Sequence, residues 1–167
     1  MEKGVFPLDQ VSSIAGQNNN GKTSIVNALQ FILMAGRKVS DMEFGAYSVE
    51  ETQKYYFPHN HSYVITEMRL PTGDYVVGAV GNGGLKGYTH ELFIYKGSFK
   101  REHYILDGEW ANKGELFRNI QNDSYDANPT VVSSKDLQLI LRGEKIRKLP
   151  ILKAFSLKNS QSHSTFN

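Results

Sequence analysis

A chain of 167 residues with a formal net charge of +2 has the size of one domain. Its 40% hydrophobic, 22% charged and 11% aromatic residues can build a real core, which excludes a disordered tail, a collagen-like repeat and a disulfide miniprotein. The lack of cysteine removes disulfides, thiolate zinc sites, iron–sulfur clusters and cysteine nucleophiles together, and it fits a reducing compartment.

The longest apolar run, Phe31–Ala35, is far below the roughly 20 residues of a membrane span. No basic, then apolar, then small-residue leader opens the chain. A soluble, cytoplasmic domain with no membrane partner is expected.

In chain order, Gln10–Ala15 reads as a short strand and Gly16–Gly21 as a loop of turn-tolerant residues. From Lys22 the apolar residues Ile25, Val26, Ala28, Leu29, Ile32 and Leu33 fall at helical spacing, and Gly36 is a natural stop. With Phe31 and Met34 also apolar, burial around most of this helix is expected. Arg37–His61 lacks periodicity and reads as a long connection with one short helix around Ser48–Lys54.

Ser62–Gly108 turns to β. Tyr63–Leu70 and Tyr75–Val80 are predicted strands joined by a turn at Pro71–Asp74. Glu91–Tyr95 and Glu102–Leu106 follow as third and fourth strands, with Asp107-Gly108 a hairpin-turn pair. Lys113–Asn122 then reads as a helix and Thr130–Val132 as a strand. Ser133 or Ser134 caps a helix over Lys135–Arg142, and another helix is expected to start at Ile151–Phe155.

Charge is unevenly spread. From Ser134 to Lys158, seven basic residues oppose only Asp136 and Glu144, leaving +5 there and −3 on the remainder. Such a stretch suits a nucleic-acid backbone or an acidic partner, and equally a solvated helix face with a polar tail.

The chemistry-bearing motif is Gly16-Gln17-Asn18-Asn19-Asn20-Gly21-Lys22-Thr23, which fits the phosphate-binding pattern G-x-x-x-x-G-K-[ST]. A loop of this length turns successive backbone N–H groups toward one phosphate. Its glycines permit the angles and close approach that a side chain would block. A helix starting at Lys22 aims its N-terminal N–H groups at the same anion. Lys22 then supplies charge to the β- and γ-phosphates, Thr23 a hydroxyl to Mg²⁺, and Ser24 a hydrogen bond to the α-phosphate. ATP with Mg²⁺ is the expected cofactor pair, and Gly16 through Ser24 the expected site.

The filling of this loop, with Asn18 before Gly21-Lys22-Thr23 and Ala28-Leu29 in the helix behind, resembles the ATP-binding heads of the SMC and RecF group. Asn19 stands where that group favours Gly. The Phe6–Gln10 lead and the β meander resemble the MukB-like and JetC-like branch in particular. Paired asparagines in the loop are also similar to the ATPase domain of OLD-family nucleases.

The resemblance implies an α/β P-loop NTPase lobe of the ABC/SMC-head type with an antiparallel β-meander subdomain. Residues 1–158 would form this lobe: loop and helix 16–36, meander 62–108, helical and basic part 113–158. Residues 159–167 would be a polar tail.

The resemblance further implies an acidic Walker B motif and a signature loop, neither of which appears. The nearest imitation, Asp107 and Glu109, reads as a hairpin. The chain would then be the N-terminal half of a head. It would need the C-terminal lobe and a second head to hydrolyse ATP, and would act on DNA with accessory subunits. A compact kinase or GTPase is the reading from a different class.

Lesser candidates are set against plainer roles. His59 and His61 look like metal ligands but lack a nearby carboxylate. Gly81–Gly84 lacks the helix that a second phosphate site needs. Tyr55, Tyr56 and Phe57 suit either adenine stacking or core packing. Gln121 and Gln138 are the candidates for the glutamine loop that couples the lobes of such ATPases.

Overall fold

A computed structural model describes residues 21–35, 39, 42, 44, 45, 47–70, 73–84 and 87–142. Helix α1 spans Lys22–Leu33 and α2 spans Val49–Tyr56. Three strands follow, β1 (Tyr63–Leu70), β2 (Gly73–Gly81) and β3 (His90–Lys96). Next come a helical turn α3 (Arg101–Tyr104), a hairpin of β4 (Ile105–Leu106) and β5 (Glu109–Trp110), and α4 (Lys113–Asp123). A 3-10 turn at Tyr125–Ala127, strand β6 (Thr130–Val132) and α5 (Ser134–Leu141) complete the described chain.

The main sheet runs in the order β1-β2-β3-β6 and every neighbouring pair is antiparallel. Strand side chains alternate between faces, and here both faces are apolar. Tyr75, Val77 and Ala79 of β2 join Leu92 and Ile94 of β3 in one core, which α1 closes with Phe31 and Ile32 and α5 with Leu137 and Ile140. Val76, Val80, Phe93 and Tyr95 form a second core on the other face, with Tyr104, Leu116 and Ile120. Each fully buried side chain of this size is worth about 1.5–3 kcal/mol, so the sheet is held from both sides.

Two polar contacts tie down the second core. The hydroxyls of Tyr95 and Tyr104 lie 3.1 Å apart, and Tyr63 donates to the Ala111 carbonyl at 2.7 Å. Burial holds the phenols of Tyr63 and Tyr104 far above their ordinary range and pushes Tyr95 up to about 12. All three therefore stay protonated hydrogen-bonding groups.

Helix boundaries follow local chemistry. Asn112 and Ser48 each open a helix with a capping box: the side chain accepts from the third helical N–H, and a glutamate there (Glu115 or Glu51) accepts from the cap's own N–H. Ser133, rather than Ser134, caps α5 by accepting from Asp136 N–H.

Two expectations change. Glu102–Leu106 is not the fourth strand, because Arg101–Tyr104 is helical and Ile105–Leu106 pairs only with Glu109–Trp110. His103 and Tyr104 are both buried within that helical turn, and β3's free edge is taken by Thr130–Val132 instead. The sheet is thus completed by a strand that follows α4. Helix α1 buries one side, through Asn27, Phe31 and Ile32, rather than most of its circumference, with Val26 and Leu33 about half exposed. It ends at Leu33, and Gly36 lies outside the described residues, as do the predicted strand 10–15 and the helix expected from Ile151.

Candidate functional site

The described end of the phosphate-loop motif is the start of α1. Gly21 is its N-cap, with φ 76° and ψ 10°. That left-handed conformation is costly for any residue with a β-carbon. The Gly21 carbonyl accepts the first helical bond, from Ile25 N–H at 3.1 Å. Because the cap is a glycine, no side chain of the cap covers the helix end, and the first turn carries no acidic residue to repel an anion.

Lys22 and Ser24 are half-buried and Thr23 is exposed. This end of α1 offers a left-handed glycine cap, a positive helix end, one cation and two hydroxyls, groups that suit an anion. Gly16, Gln17, Asn18, Asn19 and Asn20 lie outside the described residues.

Helix α1 is anchored below this end. Phe31 packs edge-on against Phe57 at 5.0 Å and Tyr56 at 5.5 Å, and stacks on Phe44 at 5.3 Å. Asn27 is buried and accepts from Gln30 at 3.3 Å. Above Phe31, the Tyr56 hydroxyl donates to the Ser24 carbonyl at 2.5 Å. This contact joins residues 32 apart in sequence, and no local pattern marks it. Burial pushes the Tyr56 phenol above its ordinary pKa, so it remains a donor.

The aromatic triplet splits three ways. Phe57 is wholly buried, Tyr56 holds α1, and Tyr55 is half exposed beside Tyr56, with their rings 5.0 Å apart and edge-on. Core packing accounts for Phe57, and of the three Tyr55 keeps the most exposed ring.

The remaining candidates separate from this site. His59 and His61 stack at 5.1 Å beside a shallow cleft of about 260 Å³ lined also by Asn60, Asn82 and Gly83. Among the described residues no group of three His, Asp or Glu could hold a metal ion. Asn82 orders the Gly81–Gly84 segment as a turn, accepting from Gly84 N–H at 3.0 Å and donating to Thr89 at 2.6 Å.

Asp107, at φ 49°, and Gly108 form the turn of the β4–β5 hairpin, and Glu109 is exposed in β5. The two residues nearest to a Walker B motif therefore sit in a surface hairpin. Gln121 is exposed on α4, across the sheet from α1, whereas Gln138 lies half-buried on α5 on the side of α1. No described helix is long and apolar enough to cross a membrane.

The described residues thus form a mixed α/β domain, an antiparallel sheet with helices on both faces and a glycine-capped helix anchored to one of them. The family model described as "Putative Mks condensin complex protein MksF" matches residues 1–164, and the chain belongs to this condensin-related family. No curated protein and no solved structure matches the chain.

Proposed function

We propose that the chain is the ATP-binding half of an SMC-like ATPase head that works within a condensin-type complex on DNA. The observation that carries this reading is the phosphate-loop pattern of Gly16–Thr23 running into a helix capped by Gly21. Membership of a family named for a condensin complex favours an SMC-like head over the nuclease and kinase readings.

In this reading the backbone of Gly16–Gly21 would hold the phosphates, Lys22 would neutralise the β- and γ-phosphates, and Ser24 would bind the α-phosphate. Thr23 would hold Mg²⁺, which would supply charge neutralisation to the phosphates. The antiparallel sheet and its helices brace α1, so that the loop is presented from a rigid base. A C-terminal lobe, a second head and accessory subunits are the partners, and DNA is what the assembled complex acts on.

Calorimetry of the folded chain with Mg-ATP tests the site. Replacing Lys22 by Ala removes charge-assisted hydrogen bonds worth about 1.5–3 kcal/mol, so affinity falls roughly tenfold or more. Unchanged affinity in a folded Lys22→Ala variant rejects the nucleotide site.

A further inference from the structure

We infer that Tyr56 is a positioning residue for the phosphate-binding end of α1, acting on Gly21 through one peptide unit. The inference rests on the reading of Gly16–Ser24 as a nucleotide site. The Tyr56 hydroxyl donates to the Ser24 carbonyl at 2.5 Å. The same peptide unit carries the Ile25 N–H, which donates to the Gly21 carbonyl at 3.1 Å. Donation to a carbonyl polarises its peptide and makes the attached N–H a stronger donor. A two-bond chain therefore runs from α2 to the carbonyl of Gly21, the cap at which α1 begins.

Tyr56 is itself well fixed. Its ring meets Phe31 at 5.5 Å and Tyr55 at 5.0 Å, the next residue Phe57 is wholly buried, and the far end of α2 is closed by the Ser48–Glu51 capping box. Packing alone would need only the ring. The hydroxyl, aimed at a carbonyl of the first turn, is the part that packing does not explain.

Tyr56→Phe keeps the ring and removes only that hydroxyl. The test is calorimetry, well below the melting temperature, of wild type, Tyr56→Phe and Lys22→Ala against Mg-ATP and against inorganic tripolyphosphate with Mg²⁺. Loss of one hydrogen bond predicts a roughly 3–10-fold weaker binding of both ligands by Tyr56→Phe, because the effect sits at the phosphate end. Equal losses on the two ligands support the inference.

Unchanged affinities overturn it, as does a loss confined to ATP, which would move Tyr56 to the base. A melting temperature more than about 8 °C lower, with affinities recovering on cooling, also overturns it by making the hydroxyl a folding contact only. Should Lys22→Ala leave both affinities intact, the nucleotide site itself fails and the inference falls with it. A loss in Lys22→Ala but none in Tyr56→Phe rejects the tether alone.

Discussion

The ring of Phe93 lies across Gly78, where a β-carbon would sit 2.2 Å from Phe93 Cζ. The two residues are direct partners in the β2–β3 register. The glycine makes room for an aromatic ring at the centre of the second core, where Phe93 is wholly buried. Gly→Ala in an unstrained strand ordinarily stabilises slightly, by stiffening the unfolded chain. Here Gly78→Ala is expected to destabilise by about 1–3 kcal/mol through overpacking, read as a lower urea midpoint. Phe93→Leu in the same background should recover part of the loss.

His90 is clamped on the opposite core, stacked on Phe57 at 4.8 Å and edge-on to Phe31 at 5.1 Å. Burial lowers its pKa from 6.5 to about 4, so the folded protein keeps it neutral. Between these values the unfolded chain binds the extra proton, and stability rises with pH. The contribution is complete above about pH 6.5, shrinks as pH falls and is gone near pH 4. It amounts to about 3 kcal/mol, at about 1.4 kcal/mol per pKa unit. Urea unfolding at pH 7 and pH 4.5 should show the wild type losing more stability than His90→Phe, which retains the ring but cannot protonate. Equal losses in the two proteins would remove His90 from the acid response.

Thr23 and the absent acidic motif give a paired prediction. If Thr23 holds Mg²⁺, Thr23→Ala should bind ATP with less enhancement by Mg²⁺ than wild type does, measured by calorimetry with and without EDTA. The isolated chain should bind nucleotide yet turn over negligibly, since hydrolysis also needs a positioned water and stabilised charge on the γ-phosphate. Lys22-dependent turnover of roughly one per second, within the ordinary enzyme range, would instead mark a self-sufficient NTPase. Asp107 and Glu109 would then be the first residues to replace.

The basic stretch Ser134–Lys158 gives a salt prediction. Binding to a DNA backbone should be indifferent to sequence and fall steeply with ionic strength. Charge reversal at Arg147 and Lys148, both outside the described residues, should reduce affinity and flatten the salt dependence. An unaltered slope would leave them as surface charge or a protein-docking face.

Much of the local structure is written in the chain itself. Runs rich in Tyr, Val and Ile mark β1, β2 and β3, and apolar residues at helical spacing mark α1. Ser48, Asn112 and Ser133 mark helix starts, because a cap satisfies N–H groups only a few residues away. The start of α1 at Gly21-Lys22-Thr23 is equally legible, since a glycine able to take a positive φ directly precedes the helix in sequence.

What lies between distant residues was decided only by the tertiary structure. Glu102–Leu106 has the composition of a strand, yet its first part is a turn of helix. Thr130–Val132 takes the sheet edge instead, across an intervening helix. Val26 and Leu33 have the same apolar character as Ile32, and only packing against the sheet settles which are covered. The Tyr56–Ser24 bond likewise leaves no trace in either segment. Capping, turn angles and strand alternation act over a few residues and so determine the elements. Pairing, burial and long-range hydrogen bonds depend on which surfaces meet, and that is settled only when the whole sheet and its two cores form together.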